Sequence, residues 1–440
     1  MADAKTIVFF PEGAFGPTNN CVGIGNVLRE RGHRVVFVVE ESFAGTLEAK
    51  GFEEATMRLA PPPEEPEVPG QFWKDFIKET APEFRKPTIV QLSTFLHPTW
   101  QALIDGSMYV NDRLTEIFDE LRPDAIVEDN VVAFAAIPAS GRPWARIVSC
   151  NPCELKDELV PPVFSGHPTE DPSEWRAFWE EYDAVLGPQV RELDEWLQSH
   201  GAPMLPTERD YMWESPFLNL YLFPEAADYA RSRPLAKTWH RLNSSVRDEA
   251  PFDMDLHLPG SGPVVYLSLG SLGSADVELM RRLIGLLAET PYRVIVSKGP
   301  QHDQLELADN MYGEEFLPQP SILPEVDMVI THGGNNTVTE CFHFGKPMVV
   351  LPLFWDQYDN AQRVDELGFG KRLETYPFED AELTGAIDGL LADDALRTRM
   401  RGIASELQSA PGNVRAADLI ERLAETARPV VSSREGSPGR

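Results

Sequence analysis

Cysteine is scarce in this chain. Cys21, Cys150, Cys153 and Cys341 are the only four among 440 residues. So few thiols in so long a chain exclude a disulfide framework as the source of stability and point to reduced cysteines. Cys150-Asn-Pro-Cys153 has redox spacing, yet no second Cys pair or His pair accompanies it, so zinc is not expected and the thiols read as bystanders. Long apolar runs are also missing, since no stretch approaches the ~18 residues of a transmembrane helix. Met1-Ala-Asp-Ala-Lys5 lacks a basic leader region and a cleavage site and runs straight into an apolar strand, which suggests a cytoplasmic location. Positive charge is the third shortage. Lys plus Arg number 39 against 70 Asp plus Glu, a formal net charge of −31. A body that negative repels phosphate backbones and anionic lipid, so neither nucleic acid nor a membrane is expected as a partner. A small anion held locally by backbone N–H groups is not excluded.

Hydrophobic residues make up 42% and charged residues 25%, the balance of a globular protein with a real core. Thr6-Ile-Val-Phe-Phe10 reads as a strand ended by Pro11 and followed by a loop from Glu12 to Asn20. Cys21 to Arg31 has helical spacing and stops at Gly32, a C′ residue. Val35-Val-Phe-Val-Val39 is a β-branched run suited to a strand covered on both faces. The theme recurs at Asp124–Val127 and Arg146–Ser149, then in a second series at Val264–Leu269, Arg293–Ser297, Val326–Thr331 and Met348–Leu351. Strands alternating with helices mean an α/β chain with parallel sheets, in two doubly wound domains with a cleft between them. The expected divisions are a first domain over 1–243, a linker over 244–262, a second domain over 263–410, a last helix within 411–428 and a disordered tail over 429–440. Two irregular regions, about 61–100 and 161–234, read as insertions at the ligand-facing end of the first sheet.

The chemistry concentrates between Phe316 and Gln357. Val326–Ile330 reads as a strand, Thr331-His-Gly-Gly-Asn-Asn336 as a tight loop and Thr337–Phe344 as a helix. Gly333 and Gly334 permit close backbone approach. The helix start exposes unpaired N–H groups and a positive dipole end, a ready site for an anion. Asn336 and Thr337 add side-chain donors, and His332 stands within reach of a phosphate oxygen. Glu340, expected on the first helical turn, can reach ribose hydroxyls beside that phosphate.

The set Phe316-Leu-Pro-Gln319, Thr331-His-Gly-Gly-Asn-Asn-Thr337-Val-Thr-Glu340, Gly345-Lys-Pro347 and Pro352-Leu-Phe-Trp-Asp-Gln357 resembles the nucleotide-sugar signature of the family-1 UDP-glycosyltransferases. The resemblance extends to the Arg31-Gly-His33 turn and to Gly270-Ser271, and it is weak between about residues 60 and 240. It implies the GT-B fold, two facing Rossmann-like domains with acceptor in the first and donor in the second. It also implies a hexosyltransferase using a UDP-sugar, most simply UDP-glucose, and a hydrophobic acceptor such as a phenol, polyketide or macrolide. Phe316 then stacks on the uracil, and Gln319 lies beside base and ribose. Glu340 binds the ribose, while His332, Asn336, Thr337 and Ser271 take the diphosphate, with Gly334 in the turn. Asp356 and Gln357 hold the sugar hydroxyls. No metal and no further cofactor is needed in this scheme, because a helix N-terminus and His332 can stabilise the departing diphosphate.

One departure stands out. The family's catalytic His precedes the His of the Arg-Gly-His turn by sixteen residues, and counting back from His33 reaches Pro17, which cannot be a general base. The partner Asp of that His is matched by Asp129 in Val127-Glu-Asp-Asn130. Asp129 is therefore the candidate base or orients an acceptor whose nucleophile already has a low pKa; Glu12, Asn19 and Asn20 line the predicted loop after the first strand, His97 can enter from the insertion, and capping of the following helix is the alternative role of Asp129. Phe72, Phe95, His97 and Trp100, with Trp73 and Phe76 nearby, can line an apolar acceptor pocket, although core packing accounts for them equally well. Pro17 also keeps open a non-catalytic protein with a retained nucleotide pocket; a nucleotide-sugar epimerase or hydrolase of the same fold is the other alternative.

Overall fold

A computed structural model describes residues 3–62 and 79–432. Phe72, Trp73 and Phe76 lie outside the described residues. The first lobe is a seven-stranded, wholly parallel sheet in the order β3-β2-β1-β4-β5-β6-β7. Its strands are β1 (Thr6–Pro11), β2 (Arg34–Glu40), β3 (Glu53–Met57), β4 (Ala125–Asp129), β5 (Trp144–Val148), β6 (Leu218–Tyr221) and β7 (Trp239–Arg241). The second lobe is a six-stranded parallel sheet, β10-β9-β8-β11-β12-β13. It comprises β8 (Val264–Ser268), β9 (Arg293–Ser297), β10 (Met311–Glu314), β11 (Met328–Thr331), β12 (Met348–Val350) and β13 (Gly370–Arg372). Six helices matter below: α1 (Phe15–Glu30), α2 (His97–Leu121), α3 (Val277–Ala288), α4 (Asn335–Phe344), α5 (Gln357–Glu366) and α6 (Gly412–Thr426). No helix among the described residues is long and apolar enough to cross a membrane.

The central strands are buried on both faces, which is why they read as continuous apolar runs rather than alternating ones. Five strands escaped the sequence reading: β3, β6, β7, β10 and β13. All five sit at or next to a sheet edge, and segments such as Glu53-Glu-Ala-Thr-Met57 and Gly370-Lys-Arg372 carry no apolar run to announce them. Each sheet reverses its strand order once, between β1 and β4 and between β8 and β11, and a parallel sheet binds ligands at that crevice. Pro11 pairs with Asp129 across the first switch point, and Ser268 with Thr331 across the second.

The first helix begins at Phe15, six residues before the expected start, so most of the predicted Glu12–Asn20 loop is helix. Pro17 is compatible with this because a first-turn residue has no intrahelical N–H bond to lose. Gly32, at φ 92°, terminates α1 as the C′ residue. Gly25 packs against Phe37 and Phe52, where a Cβ would stand 3.2 Å from the Phe52 ring, so Gly23-Ile-Gly25 is a close-packing segment.

Helix α6 leaves the second lobe and lies on α1 and the first sheet. Ala416, Ala417, Ile420 and Leu423 join Ile7, Phe9 and Phe37 in one buried cluster. His33 serves this junction. Its Nδ1 accepts the Lys5 N–H at 3.1 Å, which leaves Nε2 as the donor to Glu421 at 2.8 Å. The tail departs from expectation over residues 429–432. Val430 is buried, its N–H donates to the Phe217 carbonyl, and the Ser432 N–H donates to that of Lys237.

The turn into α6 has no spare room. A Cβ on Gly412 would stand 1.9 Å from the Ser244 carbonyl oxygen and 2.3 Å from that of Leu242. Gly412→Ala is expected to lower the urea midpoint by the equivalent of about 1–3 kcal/mol. Gly285→Ala, on a face of α3 with nothing within 4 Å, should instead be neutral or stabilising by up to about 1 kcal/mol. Equal midpoints for the two variants would contradict this packing.

Candidate functional site

The second switch point is built by two turns. After β8 the chain turns at Gly270, φ 70°, into the short helix Gly270–Gly273, whose first turn carries Ser271. After β11 it runs through His332, Gly333 (φ 88°) and Gly334 into α4. The His332 ring is wedged between both turns. A Cβ on Gly270 would stand 2.7 Å from its Cε1, and one on Gly334 would stand 2.5 Å from its Nε2. These glycines are required by contact with the imidazole. Burial pushes His332 down to about 4, against the opposing Ser268 backbone hydrogen bond, so the ring is neutral at physiological pH. Gly334 is the N-cap residue of α4 and contributes no side-chain cap, leaving first-turn amides for an external anion.

Gln319, Thr337 and Glu340 come together on one side of this turn. Gln319 Nε2 donates to Glu340 Oε2 at 2.6 Å and lies 3.3 Å from Thr337 Oγ1. Phe316 is 56% exposed. Glu340 sits on the second turn of α4, because the helix begins at Asn335. Its carboxylate is buried and paired with Arg247 of the interlobe linker, Nη1 to Oε1, at 3.0 Å. Burial raises the Glu340 carboxyl above its usual range, with Arg247 as the main opposing influence. Arg247 was not singled out in the sequence; one basic residue in a polar linker carries no periodic signal.

Asn335 and Asn336 both point away from the turn. Asn335 Nδ2 donates to the Leu222 carbonyl and Asn336 Nδ2 to that of Gly16, each at 3.0 Å. Asn336, read from sequence as a diphosphate donor, instead ties α4 to the first turn of α1, immediately beside Pro17. The α4 backbone, not this side chain, is left to meet a phosphate.

Asp356 and Gln357 open α5. Gln357 Oε1 accepts the Leu353 and Phe354 N–H groups, which holds the preceding loop. Trp355 lies in the left-handed region at φ 58°, an uncommon conformation for a bulky residue. It packs 5.1 Å from Trp100 and 5.0 Å from Phe164, ring centroid to centroid, so the first lobe shapes this corner. Asp356 Oδ2 accepts the Asn151 N–H at 2.8 Å, and Asn151 Nδ2 donates to Asn360 at 2.8 Å. The Cys150-Asn-Pro-Cys153 segment therefore acts as an interlobe clasp, and both of its thiols are free.

Across the cleft, Glu12 follows β1 and Asp129 ends β4. Asp129 is 3% exposed; Oδ1 accepts the Ser149 hydroxyl at 2.8 Å, and Oδ2 is buried without a hydrogen-bond partner among the described residues. It caps no helix. Burial pushes its carboxyl up to about 8, with Ser149 opposing and Glu12 adding to the rise. Glu12 borders an apolar pocket of about 50 Å3 that Met57, Leu59, Leu103, Val132 and Phe134 help to line. Typical small-molecule sites hold ~300–1,000 Å3, so this recess suits one end of a ligand that continues along the cleft. The sequence-proposed acceptor residues are elsewhere. Phe95 and Trp100 are each 2% exposed and pack on Phe354 and on Tyr211 with Trp355, and His97 starts α2 outside the pocket lining. They form the seam between lobes because an apolar insertion buries best against the facing apolar loop. Among the described residues, no group of three or more His, Cys, Asp or Glu is placed to hold a metal ion.

Burial pushes the Asp356 carboxyl up to about 7, with the Asn151 amide opposing and Glu154 adding to it. The folded chain thus keeps a proton that the unfolded chain releases near about pH 4, and it loses stability as pH rises from there to its folded value. Asp356→Asn lacks this penalty and can still accept from Asn151. Its stability advantage over wild type should grow between pH 5 and pH 7, by at most about 1.4 kcal/mol per unit crossed. Urea unfolding at the two pH values reads the difference, and an equal advantage at both would refute it.

Residues 221–405 match the family model described as UDP-glucoronosyl and UDP-glucosyl transferase. Demethyllactenocin mycarosyltransferase of Streptomyces fradiae is 24% identical over 95% of this chain and 86% of its own length. Zeaxanthin glucosyltransferase of Pseudescherichia vulneris is 28% identical over 70% of this chain and 76% of its own. The glycotransferase of kitacinnamycin superposes with a TM-score of 0.69 at 22% identity, covering 96% of this chain and 99% of that one. Two parallel Rossmann-like sheets joined at a cleft and these similarities have one common reading: the chain is a glycosyltransferase of GT-B fold.

Proposed function

We propose that the protein is an inverting, metal-independent hexosyltransferase. It moves glucose from UDP-glucose to a hydrophobic small molecule such as a phenol, polyketide or macrolide, in the cytoplasm. The observation that carries this reading is the facing of the two switch points. The Gly-rich turn and His332 stand on one side, Glu12 and Asp129 on the other, and Asp356 is anchored between the lobes by Asn151.

In this scheme the diphosphate meets the first-turn amides of α4 and the short helix bearing Ser271, so its growing negative charge is stabilised without a cation. The single N–H of neutral His332 is engaged by the Ser268 backbone, so the ring serves this site by holding the two turns that meet the diphosphate. Uracil stacks on exposed Phe316. Glu340 has two oxygens with about four acceptor positions, and Arg247 and Gln319 use two of them, which leaves capacity for ribose hydroxyls. Asp356 accepts from sugar hydroxyls at the cleft. The apolar recess beside Glu12 favours a hydrophobic acceptor, and relatives named for demethyllactenocin and zeaxanthin support the same class.

Incubation of the purified chain with UDP-glucose and a panel of phenols, polyketides and macrolides tests the reading. Acceptor-dependent release of UDP with an inverted glycosidic linkage is expected. Consumption of UDP-glucose at the same rate without acceptor would overturn it in favour of a hydrolase or epimerase. Asp356→Asn, which can still accept from the Asn151 N–H, should raise KM for UDP-glucose roughly 10-fold while the Kd for UDP stays within about twofold, because the seam anchor is kept and the charged contact to the sugar is lost.

A further inference from the structure

Pro17 leaves the family's base position without an imidazole. The neighbouring Gly16 carbonyl is occupied by Asn336 of the facing lobe. Resting on the glycosyl-transfer reading above, we propose that Glu12 is the catalytic base that takes the proton of the acceptor hydroxyl, and that Asp129 is the positioning residue behind it.

The backbone holds Glu12 firmly. Its N–H donates to the Asp129 carbonyl at 2.9 Å, and its own carbonyl accepts the Ala14 N–H at 2.7 Å and the Thr18 hydroxyl at 3.4 Å. This places Glu12 at the β1–β4 switch point, on the rim of the apolar recess, where an acceptor would project its hydroxyl. The side chain is half-buried, yet among the described residues no cation or hydrogen-bond donor engages its carboxylate. A structural carboxylate so enclosed is normally paired, because an ionised group out of water needs compensation. Glu12 has the opposite surroundings. Asp356 raises it, Asp129 of β4 is a second carboxyl beside it, and the nearby Cys150 after β5 is a thiol that burial keeps neutral. Arg146 of β5 acts on the neighbouring Asp129.

Asp129 suits a supporting role. It is more deeply buried than Glu12 and outside the recess lining, and its Oδ2 is buried without a partner among the described residues. Two carboxyls this close do not both ionise readily, so the deeper one retains its proton while the outer one is charged. Burial, with Asp356 adding, pushes Glu12 up to about 7, where a general base is most effective at neutral pH. In the transfer, the acceptor O–H bond breaks and its proton goes to the Glu12 carboxylate. The oxygen forms the new bond to the anomeric carbon, and the bond from that carbon to the diphosphate oxygen breaks with its electron pair leaving on UDP. Glu12 returns the proton to water after product release.

The test compares the full-length wild type with Glu12→Gln, Glu12→Asp and Asp129→Asn. UDP binding by calorimetry reports an intact fold, and kcat is followed against pH with an aliphatic alcohol and with a nitrophenol. Glu12→Gln should lower kcat for the alcohol by a factor on the order of 10²–10⁴ and abolish the rise of kcat through neutral pH. The loss should be much smaller for the nitrophenol, which is already ionised. Glu12→Asp should keep the rise at a reduced rate, and Asp129→Asn should keep it with a smaller loss than Glu12→Gln. If the wild type turns over but Glu12→Gln matches it, or Asp129→Asn alone removes the rise, the assignment of Glu12 is wrong while the transferase reading stands. If the wild type transfers no sugar from any sugar nucleotide, that reading fails and the assignment falls with it.

Discussion

The architecture depends on a row of polar side chains along α5. Asp356, Asp359, Asn360 and Arg363 recur at the spacing that usually marks an apolar stripe, and all four are buried. They are satisfied by the backbone and clasp of the other lobe. Asp359 accepts the Phe164 and Gly166 N–H groups at 2.7 and 2.8 Å, and Arg363 donates from Nε to the Ala227 carbonyl at 2.7 Å. Asn151 engages Asp356 and Asn360. A buried polar group left without its partner costs about 1–3 kcal/mol, more if charged, so this helix enforces one docking of the lobes. The same row begins with Asp356, so the residue read as a sugar ligand is also a strut of the cleft.

That coupling explains why so many acidic groups in the cleft are held partly neutral. Glu12, Glu128, Asp129, Asp356 and Asp359 are all raised, and burial is the first cause each time. A chain with a net charge of −31 gives them little compensating cation. The cations that do reach the interior are already committed, Arg247 to Glu340 and Glu249, and Arg363 to Glu366. An arrangement of weakly compensated carboxyls is a poor stabiliser but a serviceable reservoir for one proton at neutral pH. It supplies by environment what an imidazole supplies by its intrinsic pKa.

Much of the second lobe was legible because its signals are local. Gly270, Gly333 and Gly334 mark turns, and the helix they precede begins within two residues of its expected start. What failed did so for identifiable reasons. Asn336 was read as a phosphate donor because its position adjoins the turn, but its side chain crosses to Gly16, a residue 320 positions away in sequence. Phe95 and Trp100 were read as acceptor lining, yet the loop that covers them, Phe354-Trp355, belongs to the other lobe. Val430 looked like part of a loose tail, and only the docking of α6 brings Phe217 within reach of its N–H.

Apolar runs, glycine turns and charge therefore determined by themselves the α/β class, the two sheets and the Gly-rich turn before α4, because each depends on neighbours within a few residues. Tertiary structure alone decided which carboxyl stands at the recess, which asparagines are spent on the seam, and that Arg247 grips Glu340. Those outcomes depend on groups that lie far apart along the chain and meet only when two lobes close, and pairwise contact across a cleft leaves no periodic trace in sequence.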